Sequence, residues 1–249
     1  MRIRLLSDLH LEFTTRNIPF ANKADICILC GDIGSPFLQN YQNFLEKIAS
    51  EHELVLIISG NHEYYGKKTM NETENKINDV INNININNNN NNIQYLQKKT
   101  YIYKNIIFIG CTMWSEIIDD KLVPNINDIK YIPDLTFEKY NLLHKEHVAW
   151  INNELIKYKS DNKTICVITH HLPSYKLIHN KYKGSRDNVI FASRVLEHFD
   201  DFNINYWFYG HTHQAQYHSI NKVQCFCNPF GYEHENSNWN PDMLVIVNN

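Results

Sequence analysis

A surplus of positive charge is missing from this 249-residue sequence: 24 Lys and Arg stand against 27 Asp and Glu, for a formal net charge of −3. Proteins that track duplex DNA or adhere to anionic lipid carry a basic stripe. Neither is an expected partner, and any anion bound here must be attracted by a local field. Long apolar runs are missing as well. None approaches the roughly 20 residues needed to span a membrane. In the opening MRIRLLSDLHLEF only Leu5 and Leu6 separate Arg4 from Ser7 and Asp8, far short of the apolar core of a secretory signal. The expectation is a soluble, intracellular, cytoplasmic protein, in which the N-x-T matches at Asn71 and Asn162 carry no weight.

Cysteines in a usable pair are lacking too. Six are scattered, and the one close pair, Cys27 and Cys30 in DICILCGD, lies in an apolar run that reads as a strand. Strand alternation puts positions three apart on opposite faces, which makes a poor zinc or redox pair and leaves buried structural thiols.

What is present is 43% apolar residues, enough for one domain over 1–249 to bury a core without disulfides. Short runs rich in Ile, Val, Phe and Cys recur at 3–7, 25–30, 54–59, 106–111, 164–169, 206–209, 223–227 and 243–247. Helical periodicity separates several of them. Over 136–157 it aligns Leu142, Leu143, Trp150, Ile151, Leu155 and Ile156; over 38–52 it aligns Leu38, Tyr41, Leu45, Ile48 and Ala49. Alternating strands and helices predict an α/β layered fold with covered sheets. From 82 to 92 the chain reads NNININNNNNN. With almost no side chain to bury, this run is expected to be a surface insertion after a helix over about 68–81, and excision of Asn85–Asn92 is expected to leave activity and melting temperature nearly unchanged.

The polar residues fall at strand ends. The first strand runs into Ser7-Asp8-Leu9-His10, the second into Gly31-Asp32, and the third into Gly60-Asn61-His62-Glu63. The fifth delivers Thr169-His170-His171, the sixth Gly210-His211-Thr212-His213. In α/β sheets the carboxyl ends of strands line the binding crevice, so these groups converge on one rim. Unpaired, each would cost a kilocalorie or more. Metal ions would satisfy them together. Mixed carboxylate and imidazole donors suit Mn, Fe or Zn rather than the oxygen shells of Mg and Ca, with manganese the first choice. Two ions about 3.5–4 Å apart need a bridging ligand, for which Asp32 is the candidate. Glycine before Asp32, Asn61 and His211 lets the backbone approach the site closely. His144, His147 and His198, on helices without a matching ligand set, read as satisfied core residues.

Asp8-x-His10, Gly31-Asp32, Gly60-Asn61-His62-Glu63, His170-His171 and Gly210-His211-x-His213, in this order, closely resemble the calcineurin-like metallophosphoesterase superfamily. The resemblance runs from Asp8 to His213. It implies a four-layer α/β/β/α sandwich with two mixed β-sheets and a dinuclear centre. By motif, one ion is held by Asp8, His10, Asp32 and His213, and the other by Asp32, Asn61, His170 and His211. His62 sits beside the leaving group without touching metal. Many members have Asp at the position of Glu63, whose implied work is to orient a histidine. At the fifth motif either His170 or His171 could be the ligand; His170 is preferred, with His171 bonding near the phosphate.

The implied function is hydrolysis of a small phosphate ester by metal-bound hydroxide, with His62, held by Glu63 or a backbone carbonyl, assisting the leaving oxygen. A phosphodiesterase acting on cyclic nucleotides or other diesters is the alternative to a phosphomonoesterase. A catalytically silent protein-binding scaffold is the alternative of another class, disfavoured because every expected ligand is present. The lysines of LPSYKLIHNKYKGSR read first as solvated charges, with Lys176, Lys183 and Arg186 as candidates to reach substrate. The closing CNPFGYEHE looks like the last strand turning back at the site; similar small members often carry a basic residue where Phe230 stands. Tyr64, Tyr65 and Trp114 are expected to pack the rim.

Overall fold

A computed structural model describes residues 1–14, 18, 20–118, 121 and 126–247. All eight expected apolar runs form strands. In chain order the elements are β1 (Arg2–Leu6), β2 (Ile26–Cys30), α1 (Gln39–Glu51), β3 (Leu54–Ile58), α2 (Met70–Asn87), β4 (Ile93–Tyr95), β5 (Lys99–Tyr103) and β6 (Ile106–Gly110). There follow α3 (Asn127–Tyr131), α4 (Phe137–Lys157), β7 (Thr164–Ile168), α5 (Asn188–Phe191), β8 (Tyr206–Tyr209), β9 (Gln216–Ile220), β10 (Val223–Cys227) and β11 (Leu244–Ile246).

One sheet has the order β11-β1-β2-β3-β4 and the other β5-β6-β7-β8-β10-β9. Both are mixed. The first is parallel except for the β1–β11 pair, and the second has antiparallel pairs at its two edges. Alternation along the strands builds the layers. Ile26, Ile28 and Cys30 of β2 meet Phe108, Cys166 and Phe208 of the opposite sheet in a core between the sheets. Cys27 and Leu29 point the other way, onto Tyr41, Leu45 and Ile48 of α1 and Ile77, Val80 and Ile81 of α2. The outer face of the second sheet packs Ile107, Ile165 and Trp207 against Ile151 and Leu155 of α4. The result is the four-layer α/β/β/α sandwich. Cys27 and Cys30 do fall on opposite faces, and all six cysteines are buried free thiols.

β4, β5 and β9 escape the pattern. β5 and β9 are edge strands whose polar, half-exposed residues lack a clean alternation, as edges exposed to water require. In α4 the buried face is Tyr140, His144, His147, Ile151 and Leu155, whereas Leu142 and Ile156 are each 55% exposed. Two of the expected core positions there are thus surface ones, and two histidines replace them. His198 is exposed, in a single 3-10 turn, and is not a core residue.

The asparagine run is not a detached insertion. α2 opens with a reciprocal cap between Thr69 and Glu72 and continues to Asn87, six residues past the expected end, burying Ile84 on the way. Asn85 exchanges two hydrogen bonds with the backbone of Ile93, donating at 3.0 Å and accepting at 3.2 Å. The buried Asn92 amide donates to the carbonyls of Ala49 and His52 at 2.8 and 3.0 Å, closing the end of α1. Low complexity in sequence here conceals two specific amide contacts. No helix among the described residues is long and apolar enough to cross a membrane.

Candidate metal centre

The parallel strands β1, β2 and β3 of one sheet and β7 and β8 of the other bring the polar motifs to one rim. Asp8, His10, Asp32, Asn61, His170, His211 and His213 all meet there. Ligand atoms of Asp8, His10 and His213 lie within 4.8 Å of one another, as do those of Asp32, His170 and His211, and those of His10, Asp32 and His62. His10 Nε2 is 3.1 Å from His213 Nε2 and 3.9 Å from Asp32 Oδ2. His170 Nε2 is 3.0 Å from Asn61 Oδ1 and 3.4 Å from Asp32 Oδ2. His213 Nε2 is 3.5 Å from Asp8 Oδ1.

The backbone is bent to achieve this. Asp8, His10, Asp32, His211 and His213 all adopt left-handed φ angles between 45° and 68°, a conformation that costs about 1–2 kcal/mol for a residue with a side chain. Close approach explains Gly60: a Cβ there would stand 2.1 Å from Asp32 Oδ1 and 2.7 Å from His170 Cε1.

The outer nitrogens of three histidines are occupied in a way that aims the inner ones at the cluster. Nδ1 of His170 lies 2.8 Å from the Cys30 carbonyl, Nδ1 of His213 2.6 Å from Glu235, and Nδ1 of His10 3.3 Å from Glu12. Such partners fix the tautomer and ring orientation of metal-binding histidines. His211 Nε2 is buried without a hydrogen-bond partner. The donor set therefore fits borderline divalent cations. His170, not His171, joins the Asp32 set; His171 packs on Trp114 and reaches the Tyr140 hydroxyl at 3.4 Å.

Charges within the cluster compensate one another. Burial alone would raise Asp8, but the hydrogen bond and charge of His213 hold it below the usual carboxylate range. Burial opposes the ionised Asp32 too, and the charges of His170 and His62 more than offset it. In return, burial of His213 and His170 is outweighed by carboxylates, Asp8 and Glu235 bringing His213 up to about 10 and Asp32 bringing His170 up to about 9. His211 is pushed well below its ordinary value by burial and by His171 and His170. Divalent cations would take over from these imidazolium charges and release their protons.

His62 stands closer to the cluster than the sequence implied. Its backbone N–H donates to Asp32 Oδ1 at 2.8 Å. Nδ1 is 3.2 Å from Glu12 Oε1, and Nε2 3.3 Å from the Tyr232 hydroxyl. Burial lowers its affinity for a proton, but Asp32 and Glu12 raise it above the ordinary value. Glu12, not Glu63, thus holds His62. Glu63 is not hydrogen-bonded to a histidine among the described residues: it accepts from the backbone N–H groups of Asp32 (3.0 Å), Ile33 (2.7 Å) and Gly60 (2.8 Å). Its role is to tie the β2 and β3 loops together. Burial and Asp32 push its pKa up to about 8.

A cavity of about 520 Å³ opens beside the cluster, lined among others by Asp32, Asn61, His62, His211 and His213. Tyr65 lines it and stacks on His62 with ring centroids 4.2 Å apart, whereas Tyr64 and Trp114 are core. Lys176, Lys183 and Arg186 are exposed and none lines the cavity. Their segment instead sends Ile178, Tyr182, Asp187 and Phe191 to the wall. Phe230 is buried against Trp239, not directed at the site.

Sequence reasoning missed four residues. Glu12 and Glu235 back the histidines, Tyr232 faces His62, and buried Asp128 accepts from the Asn61 amide at 2.8 Å and from the Tyr65 hydroxyl at 2.7 Å. Glu12 was signalled by its place two residues after His10. Asp128 lies 67 residues from Asn61 and outside every motif.

The family profile described as calcineurin-like phosphoesterase matches residues 1–215. An uncharacterized protein, L509 of Acanthamoeba polyphaga mimivirus, is 31% identical over 286 residues, covering the whole of both chains. Among solved structures, the fold is similar to the phosphopantetheinyl hydrolase of Mycobacterium tuberculosis (TM-score 0.68, 12% identity, 93% of this chain and 89% of that one). It is also similar to a putative 5'-nucleotidase of Staphylococcus aureus (TM-score 0.52, 14% identity, 91% and 48%) and a dimetal phosphatase of Danio rerio (TM-score 0.50, 11% identity, 91% and 86%). With five motif loops on one rim and a profile match spanning them all, this chain belongs to the calcineurin-like phosphoesterase family.

Proposed function

We propose that the protein hydrolyses a small phosphate ester at a dinuclear centre. One ion would be held by Asp8, His10, Asp32 and His213, the other by Asp32, Asn61, His170 and His211. The observation that carries the reading is the position of Asp32, whose carboxylate belongs both to a set with His10 and to a set with His170 and His211. Divalent ions bound there would supply Lewis acidity toward the phosphoryl oxygens and bring the pKa of a water toward neutrality.

The chain's own groups do the remaining work. His62, backed by Glu12 and by the stacked Tyr65, holds a proton above its ordinary affinity and faces the cavity, where it serves a departing oxygen as general acid. Asp128 turns the Asn61 amide so that Oδ1 faces His170, where it could serve as a ligand beside that histidine. A protein-binding scaffold would have no use for the buried carboxylate–imidazole set.

Metal analysis coupled to hydrolysis tests the reading. Reconstitution with Mn, Fe or Zn is expected to give close to two ions per chain and cleavage of nitrophenyl phosphate esters that chelation abolishes. Saturation near one ion removes the dinuclear centre; no cleavage with any of the three metals removes the phosphoesterase.

A further inference from the structure

A general acid must turn a ring nitrogen toward the oxygen it serves, and the way His62 is held leaves one nitrogen for that task. Its Nδ1 is turned to Glu12 Oε1 at 3.2 Å, its backbone N–H donates to Asp32 Oδ1, and Tyr65 stacks on the ring. Nε2 is the atom left for a ligand, and it lies 3.3 Å from the Tyr232 hydroxyl. Both residues line the cavity.

Tyr232 is placed there by backbone and ring rather than by its hydroxyl. The loop that carries it is docked on the end of β1, where the Phe230 N–H donates to the Ser7 carbonyl at 3.0 Å and the Gly231 N–H to that of Asp8 at 2.9 Å. Gly231 then turns at φ 76°, a left-handed angle that glycine adopts without strain, and the Tyr232 N–H donates to Glu235 Oε2 at 2.9 Å. The ring that follows stacks on His10 with centroids 4.5 Å apart and meets His213 edge-on at 4.9 Å. Its half-buried hydroxyl makes one long hydrogen bond among the described residues, the contact with His62, although a hydroxyl can donate once and accept twice. A fixed phenol with unused capacity at a cavity wall is suited to a ligand.

The separation of the two groups selects the ligand atom. One oxygen can stand about 2.8 Å from both His62 Nε2 and the phenol oxygen, so an oxygen that His62 can serve is one that Tyr232 can reach. The hydroxyl hydrogen turns to suit its acceptor. Resting on the phosphoesterase reading above, we propose that Tyr232 is a second catalytic donor, whose hydroxyl hydrogen-bonds the departing oxygen of the ester alongside His62. As the P–O bond breaks, its electron pair stays on that oxygen and the phenol stabilises the gathering charge. The phenol keeps its own proton, and its ring stays against His10 and His213.

Tyr232→Phe tests this, because it removes the hydroxyl and keeps the ring. The Mn-loaded protein is assayed on glycerophosphate against nitrophenyl phosphate, and on cyclic AMP against bis(nitrophenyl) phosphate; within each pair only the first expels a poor leaving group. The variant is expected to keep the wild-type metal content and a KM within a few-fold, and to lose kcat by roughly 10–10²-fold on the alkoxide-releasing ester but only a few-fold on its nitrophenyl counterpart. In a His62→Ala background the same change is expected to cost several-fold more, since the hydroxyl meets the oxygen itself; no further loss there would make Tyr232 a support for His62 alone and overturn the proposal. Unchanged kcat, equal losses on both members of a pair, or a loss of metal also overturn it and leave the phosphoesterase intact. No hydrolysis of any of the four esters by the wild-type protein overturns both readings. Binding supplies a readout without turnover: orthovanadate, which adopts the five-coordinate geometry of a phosphoryl group in transfer, is expected to bind several-fold to about ten-fold more weakly to the variant, and equal binding refutes the proposal.

Discussion

The contact between Asp128 and Asn61 offers a measurable handle on the centre. Asn61 has a chemically ambiguous side chain, since either its oxygen or its nitrogen can face an ion. In this protein Nδ2 donates to Asp128 at 2.8 Å and to the Tyr65 hydroxyl at 3.2 Å, which leaves Oδ1 facing His170. Asp128→Ala removes the stronger acceptor and also frees the Tyr65 hydroxyl, which donates to the same carboxylate oxygen at 2.7 Å. Only the longer bond to the Tyr65 hydroxyl, itself no longer anchored, then holds the amide in its ligating orientation. Loss of such an outer partner typically weakens metal binding 10–100-fold, or about 1.4–2.8 kcal/mol. Under the proposed assignment the loss should be confined to the ion that Asn61 would hold. Titration with Co or Mn, followed by absorption or calorimetry, should therefore show one site weakened and the other unchanged. Asp128→Asn, which keeps an acceptor oxygen in place, should recover most of the affinity. In an Asn61→Ala background the Asp128→Ala change should add almost nothing, because the two residues act through one contact. Equal weakening of both sites, or additive losses in the double variant, would show instead that Asp128 merely stabilises the surrounding loops.

Three further outcomes follow from the geometry. Asn92→Ala, which strips hydrogen bonds from the Ala49 and His52 carbonyls, should lower unfolding free energy in urea by about 1–3 kcal/mol, while replacing the exposed Asn90 should stay within about 0.5 kcal/mol; equal effects would return the whole run to an inert insertion. His147 accepts from the Met113 N–H, and burial lowers its pKa from 6.5 to about 3. The unfolded chain therefore binds the extra proton first, and stability should fall by about 2 kcal/mol from this group between pH 7 and 5, a loss that His147→Asn should lack and urea midpoints at the two pH values would reveal. His62→Ala should keep both ions and lose roughly 10²–10⁴-fold in rate on alkyl esters but far less on nitrophenyl esters, whose leaving group needs no proton; lost metal would make His62 a ligand, a role that its place near His10 and Asp32 allows.

The parts legible in the sequence were those repeated in kind. Apolar runs ending in Asp, Asn or His recur five times, and each repetition raises the weight of the others, so the layers, the rim and the cluster could be read together. Residues that act once were hidden. Asp128 supports Asn61 from a five-residue helix, and neither its neighbours nor its spacing marks it. Glu235 reaches His213 from the chain's far end, on a turn where the sequence drew the eye to Phe230. Edge strands β5 and β9 were invisible because their exposure removes the alternation that reveals a strand. The asparagine run misled in the opposite direction, since composition cannot show that Asn92 lies beside two open carbonyls.

The same distinction explains why Glu63, although inside a motif, had its partner misassigned. Five non-glycine residues of the centre hold left-handed backbone, a strain of several kilocalories in total against a typical domain stability of 5–15 kcal/mol. Strain of that size persists only where the surroundings overdetermine it. Glu63 supplies that constraint by accepting from Asp32, Ile33 and Gly60 at once, and Asp8 does the same for the opposite sheet by accepting from the His211 N–H at 3.0 Å. The β2 loop is also stitched to the β1 loop, with Asp8 N–H donating to the Gly31 carbonyl and His10 N–H to that of Asp32, both at 3.0 Å. A carboxylate one methylene shorter could not span from the 62–64 turn to all three amides without moving the turn. The extra carbon of Glu63 is thus accounted for by the backbone it clamps, and the ligands face inward because that clamp makes their strained conformations the ones the fold retains.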